Sequence, residues 1–157
     1  LIRTRYPKDT LEVVVFGDEA RRLTTRDLPY LTVGPFHTNT RDGLRLSRRL
    51  LRRARSANMQ IFMITDGKPS ALTLEDGRIY TNSWGLDPMI VNRTIDEAVA
   101  CRREGITIST FMIARDPALV EFVENLTRAN KGRAFYTGLD GLGNDLFVDY
   151  VRNRRRR

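Results

Sequence analysis

The residues best equipped for chemistry in this chain carry oxygen, and they are few. Thr38 sits in a loop, and Asp66 follows the run Met59-Gln60-Ile61-Phe62-Met63-Ile64-Thr65 as part of Thr65-Asp66-Gly67. A hydroxyl and a carboxylate brought together are hard oxygen ligands of the kind Mg²⁺ or Mn²⁺ prefers. Magnesium commonly takes only one or two carboxylates and leaves its other positions to water or a partner. Thr-Asp-Gly after a strand is also ordinary turn chemistry, so both readings stand at this point. His37 is the only histidine and Cys101 the only cysteine, so Ser-His-Asp and Cys-His catalysis have little support. No G-x-S-x-G elbow occurs. Gly67-Lys68-Pro69-Ser70 lacks the earlier glycine of a P-loop, and Gly138-Leu139-Asp140-Gly141-Leu142-Gly143 is not G-x-G-x-x-G and reads as a turn.

The elements that must position Thr38 and Asp66 alternate. Leu11 to Phe16 is a β-branched apolar run ending at Gly17-Asp18, suited to a buried strand of a parallel sheet. Ala20 to Thr24 reads as a short edge strand, and Leu28 to Phe36, with two prolines and a glycine, as a loop. A helix of some fourteen residues then follows Thr38-Asn39-Thr40-Arg41-Asp42-Gly43, with Leu44, Ser47, Leu51 and Ala54 at helical spacing and Thr40 or Asp42 as its cap. Met59 to Thr65 is the second strand. Leu72 to Thr81 alternates around Asp76-Gly77 as a hairpin, and Ser83 to Pro88 is a loop. Asn92 to Arg103 is a helix ended by Gly105. Ile106 to Ile113 is the third strand, and Asp116-Pro117 caps and opens the next helix. Gly132 to Thr137 is a fourth strand, and Leu146 to Arg152 a short terminal helix. Parallel strands joined by helical crossovers make an α/β, doubly wound, mostly parallel open sheet with helices on both faces. Ligands bind such sheets at the carboxyl ends of the strands, where Gly17-Asp18, the loop holding Thr38, and Thr65-Asp66-Gly67 converge.

Composition bounds the rest. At 157 residues and 41% hydrophobic content the chain fits one packed domain, expected over 1–151 with a basic tail over 152–157. No apolar run approaches the length of a membrane span, and the opening Leu1-Ile2-Arg3-Thr4-Arg5-Tyr6-Pro7 lacks the apolar stretch of a secretory signal. With one cysteine as well, a cytoplasmic setting is expected. The formal charge is +8, and only Lys8, Lys68 and Lys131 of the 27 basic residues are lysines. That charge is local. Arg41, Arg45, Arg48, Arg49, Arg52, Arg53 and Arg55 crowd one helix, and Arg152 and Arg154 to Arg157 the tail; the remainder is mildly acidic. An anion-binding function would rest on these two segments.

Around Thr38 and Asp66 the sequence resembles the von Willebrand factor type A domain. The matching stretches are Phe36-His-Thr-Asn-Thr-Arg-Asp-Gly-Leu44 and Ile61-Phe-Met-Ile-Thr-Asp-Gly-Lys-Pro-Ser70, preceded by Glu12-Val-Val-Val-Phe-Gly-Asp-Glu-Ala20. The likeness continues through Gly105 to Asp116 and Lys131 to Gly138, and is nearest to bacterial cytoplasmic members that accompany chelatase-type ATPases. The resemblance implies a Rossmann-like fold, a metal-ion-dependent adhesion site, and Thr38 and Asp66 as two of its ligands, with a partner's Asp or Glu completing the metal shell. The family's Asp-x-Ser-x-Ser motif, which ends its first, central strand, occurs nowhere in this sequence. The resemblance therefore implies an N-terminally truncated domain, the missing strand lying between the strands at Leu11 and Met59. It also implies poor Mg²⁺ affinity for two ligands alone.

The expected function is a non-enzymatic protein–protein interaction module. In its intact form it binds Mg²⁺ or Mn²⁺ and captures an acidic partner residue, as an adaptor for an AAA+ ATPase of the chelatase type. Lys68, Pro69 and His37 would shape partner specificity, with His37 equally read as a structural histidine. Tyr80, Trp84 and Met89, on the hairpin and loop that follow Asp66, would either anchor the partner or pack the insertion. A rival reading is an arginine-rich binder of nucleic acid or an acidic surface, and a weaker one a metal-assisted phosphohydrolase using Asp66 and Asp18.

Overall fold

The computed structural model describes residues 2–32, 37–54 and 56–154. The expectation for Val33 to Phe36, and the tail beyond Arg154, lie outside the described residues. The chain begins with a one-turn α1 (Ile2–Arg5), then β1 (Val13–Phe16) and β2 (Ala20–Leu23), which pair antiparallel with Val13 opposite Leu23 and Phe16 opposite Ala20. A single 3-10 turn at Leu28–Tyr30 precedes α2 (Thr40–Ala54), β3 (Met59–Thr65), and the hairpin of β4 (Ala71–Thr73) and β5 (Ile79–Thr81). The chain then alternates: α3 (Pro88–Arg103), β6 (Ile106–Met112), α4 (Pro117–Asn130), β7 (Arg133–Tyr136) and α5 (Leu139–Arg154).

The centre is a parallel sheet in the order β3-β6-β7, with Met59 opposite Ile106 and Ser109 opposite Arg133. Strand period two sorts its side chains onto two faces. Ile61 and Met63 of β3 and Ile106, Ile108 and Met112 of β6 point into one core with Leu44 of α2, Ala98 and Cys101 of α3, and Leu119, Phe122, Val123 and Leu126 of α4. The opposite face carries Phe62, Phe111 and Phe135, with the last two stacked at 4.9 Å between ring centroids. Phe62 meets Tyr150 of α5, whose ring also meets Tyr6, so α5 and the N-terminal segment cover that face. Ser109 donates to buried Asp149 of α5 (2.7 Å), which also ion-pairs with Arg133 of β7 (Nε to Oδ1 2.8 Å). The α/β architecture with helices on both faces is the one the sequence indicates.

Four local expectations are corrected. The run ending at Phe16 is not a buried parallel strand: Gly17 accepts the turn, its N–H donating to the Glu19 carbonyl, and sends the chain back antiparallel with β1 only half-buried. The strands β1 and β3 belong to separate sheets, both packed beneath α2. The segment from Gly138 to Gly143, expected as an isolated turn before a helix at Leu146 to Arg152, instead opens α5, which begins at Leu139, since Leu142 N–H already bonds the Gly138 carbonyl. The α3 helix starts at Pro88, because Asp87 caps it, accepting from the N–H groups of Met89 and Ile90. The helix α2 is capped by Asn39, not by Thr40 or Asp42: the Asn39 Oδ1 accepts from Asp42 N–H at 3.1 Å. Gly105, at φ 74°, ends α3 as expected.

Candidate functional site

The carboxyl ends of β1 and β3 and the loop entering α2 meet at one rim. Asn39 holds that rim together from behind. It is 0% exposed; its N–H donates to the Gly17 carbonyl (2.7 Å), and its Nδ2 lies 3.0 Å from the Asp18 carbonyl, Asp42 Oδ2 and Thr73 Oγ1. Thr73 also donates to Asp42. One side chain thus joins the end of β1, the first turn of α2 and β4.

Thr38, the residue before Asn39, is fixed through its backbone. Its N–H donates to Ser70 Oγ (3.0 Å), and its carbonyl accepts from the N–H groups of Ser70 and Ala71 (3.0 and 3.3 Å). Its side chain is left for the rim: a Cβ added to Gly67 would lie 3.6 Å from Thr38 Oγ1. Gly67 adjoins Asp66, so the two segments that carry the sequence-derived ligands are side by side. The turn itself is braced by Thr65, whose Oγ1 donates to the Gly67 carbonyl at 2.8 Å. Asp66 is exposed, and its carboxylate makes no hydrogen bond or ion pair among the described residues. Asp18, the second carboxylate nearby, is engaged: its Oδ1 accepts from His37 N–H and lies 3.0 Å from His37 Nδ1.

The remaining sequence-derived residues divide by availability. Lys68 donates from Nζ to the Ser83 carbonyl (2.8 Å), tying the Thr-Asp-Gly turn to the following loop. Pro69 is buried. Tyr80 donates its hydroxyl to Asp87 Oδ2 (2.8 Å), a bond that raises the phenol's pKa. The same carboxylate is held below the usual aspartate range, first by the Asn82 amide and then by Tyr80. Trp84 is the opposite case. It is 89% exposed, although its backbone is held, with its N–H on Asn82 Oδ1 and the neighbouring Ser83 carbonyl on Lys68. Met89, in the first turn of α3, is exposed as well. Ser70 and Asn39 are the site residues that sequence reasoning passed over. Asn39 carried a legible signal, an asparagine three residues ahead of Asp42 at a helix start.

As a metal site the rim has the right kind of donor and few of them. Thr38 Oγ1 and Asp66 are hard oxygens without hydrogen-bond or ion-pair partners among the described residues, which suits Mg²⁺ or Mn²⁺. Among the described residues no group of three or more His, Cys, Asp or Glu side chains gathers as a metal cage.

Comparison with known proteins gives the family of the chain. The family model described as "Rv0959-like protein, vWA domain" matches residues 1–151. The chain belongs to this von Willebrand factor type A (vWA) family. The uncharacterized protein Rv0959 of Mycobacterium tuberculosis and Mb0984 of Mycobacterium bovis are each 32% identical over 160 residues, covering 99% of this chain. The chain spans 24% of the length of these relatives. A crystal structure of the conserved hypothetical protein BatB from Bacteroides thetaiotaomicron superposes with a TM-score of 0.62 at 14% identity, over 90% of this chain and 77% of that one. That likeness is one of fold. As a vWA domain the chain is a protein-interaction module. No helix among the described residues is long and apolar enough to cross a membrane.

Proposed function

We propose that this vWA domain captures an acidic side chain of a protein partner through a divalent cation, Mg²⁺ or Mn²⁺, with Thr38 and Asp66 among the ligands. The observation that carries the reading is the juxtaposition of Thr38 Oγ1 with the Thr65-Asp66-Gly67 turn, with the Asp66 carboxylate making no hydrogen bond or ion pair among the described residues. A carboxylate that is exposed and uncompensated at the end of a buried strand is available to a cation. The bound ion would supply the positive charge that an incoming Asp or Glu needs; Thr38 and Asp66 would orient it, and Lys68 and the Trp84 loop would border the partner. In the intact form we propose a further strand carrying Asp-x-Ser-x-Ser between β1 and β3. The separation of those strands into two sheets beneath one helix supports it. The role is binding rather than catalysis: Asp18, the further carboxylate a phosphohydrolase would recruit, is committed to His37. A chelatase-type AAA+ ATPase is the partner class this reading names.

Isothermal titration with Mg²⁺ and Mn²⁺ tests the proposal on two proteins, this chain and a version with an added N-terminal strand bearing Asp-x-Ser-x-Ser. The extended protein should bind Mn²⁺ with 1:1 stoichiometry and lose that binding on Asp66→Ala, while the shorter one binds weakly. If the extended, folded protein takes up neither ion, metal-dependent capture is wrong.

A further inference from the structure

The arginines of α2 do not form one population. Arg48 is drawn into the helix interface: its Nε lies 2.6 Å from Glu97 and its Nη1 2.6 Å from Glu104, both on or at the end of α3. Those two carboxylates raise its pKa, Glu97 foremost. Arg41 donates to the Thr73 carbonyl (3.0 Å), and Arg52 approaches Glu104 at 3.8 Å. Arg45, Arg49 and Arg53 are exposed and make no hydrogen bond or ion pair among the described residues. They recur every four residues, so they form a ridge along the solvent side with a rise of about 6 Å between successive guanidiniums.

Two further observations mark this ridge as more than a solvated face. A surface helix ordinarily mixes signs. The helices α3 and α4 do, with Asp96 and Arg93 on one and Glu121, Glu124 and Arg128 on the other. The acid of α2, Asp42, is instead turned onto Asn39 and Thr73, so the exposed face is of one sign. The ridge also borders a groove of about 240 Å³ lined by Arg45, Leu46 and Arg49 on one side and Ala20 of β2 and Thr73 of β4 on the other, with Asp42, hydrogen-bonded to Asn39 and Thr73, also lining it. Arg21 and Arg22 of the adjoining edge strand are exposed as well, although Arg22 is paired with Glu12.

We propose that the outer face of α2 binds the phosphate backbone of a double-stranded nucleic acid through Arg45, Arg49 and Arg53. Unpaired guanidiniums in a row are bidentate phosphate donors that give up no internal partner on binding. Duplex is favoured over single strand because no aromatic side chain lies among these arginines for bases to stack on. Contacts confined to phosphates position a duplex without reading its sequence, so binding should be sequence-independent. This surface is independent of the cation rim and needs no metal.

Fluorescence anisotropy with a labelled duplex DNA, titrated at salt concentrations from about 50 to 200 mM, tests the proposal. The chain should bind in the micromolar range and weaken steeply with salt. The triple variant Arg45→Gln, Arg49→Gln, Arg53→Gln should lose about tenfold or more and flatten the slope of log K against log salt by roughly 3. The charge-matched triple Arg93→Gln, Arg115→Gln, Arg128→Gln should bind like the parent, both variants being checked for folding by far-UV circular dichroism. No duplex binding at the lowest salt overturns the proposal. Equal losses in the two triples overturn it too, because net charge alone would then be acting. So does tighter binding to phosphatidylserine vesicles than to duplex at equal salt, which would make a membrane surface the partner.

Discussion

The molecule has a closed half and an open half. In the closed half β6 runs between β3 and β7, six of its seven residues are buried, and the amide of Asn130 meets several of the polar groups that enter the interior, although the buried Thr110 Oγ1 has no hydrogen-bond partner among the described residues. Asn130, at the end of α4, accepts from Ile108 N–H (2.8 Å) and donates to the carbonyls of Ala98 and Ile106 (both 3.1 Å), joining α4, α3 and β6. In the open half β1 is half-buried along its whole length, and the rim leaves Asp66 with no partner among the described residues. A buried polar group without a partner is costly, whereas an exposed carboxylate is solvated by water. The contrast teaches that stability and binding chemistry are housed apart in this vWA domain. Asn39 is the joint between them: it is satisfied like a core residue and directly precedes Thr38.

Removing Asn130 should show how much the closed half contributes. The substitution Asn130→Ala strands one buried N–H and two carbonyls, and should cost about 3 kcal/mol in urea unfolding, with an unchanged m-value. A loss under about 1 kcal/mol would mean that this half tolerates unmet polar groups as the open half does, and the distinction would fail. Asn39→Ala should come next, at about 2 kcal/mol, from the lost helix cap and the partners left unmet at Asp18 and Thr73. Its second effect should be local. Amide exchange should quicken at Asp42 and Asn39, whose N–H bonds fix the α2 entry, and not at Ile108. Quickening spread equally over β6 would show that the two halves are one cooperative unit.

The closed half was also the legible half. Met59 to Thr65 and Ile106 to Ile113 announce themselves because strands covered on both faces are rich in β-branched and other apolar residues, broken here only by residues such as Gln60, Thr107, Ser109 and Thr110. Asp116-Pro117 announces α4 because a cap and a first-turn proline each have a fixed place. The same pair of residue types at Asp87-Pro88 opens α3, but Asp87 was hidden in a run of loop-forming residues. The misreadings fall where a turn, a cap or docking decides the local structure. The run ending at Phe16 has the composition of a parallel strand, yet its direction is decided by the turn at Gly17 to Glu19 rather than by its side chains. The start of α5 carries Gly138, Gly141 and Gly143, whose weak helix propensity is overridden by docking against the sheet, where Asp149 meets Ser109 and Arg133. At the rim, the closeness of Thr38 to the Asp66 turn was legible through strand order and the family motif. The division of partner candidates was not, because whether Pro69 is buried or Lys68 is tied to Ser83 depends on a hairpin whose docking no local pattern specifies.

The smallest expected effect is the most discriminating. Asp66→Ala removes an exposed carboxylate that makes no hydrogen bond or ion pair among the described residues, so its stability should change by less than about 0.5 kcal/mol. Asp18 belongs to the same rim, so removing the Asp66 charge should also relieve slight like-charge repulsion, an effect screened within about 10 Å at moderate salt. Thermal unfolding of the parent and the variant at low and high salt reads both quantities. If Asp66→Ala costs more than about 1 kcal/mol, its carboxylate is holding the β3 turn in place, and its availability to an incoming cation has been misjudged. A near-zero cost at a strand end inside an otherwise well-bonded turn is what a ligand kept in reserve requires: Thr65 braces the turn from within, so Asp66 does not have to.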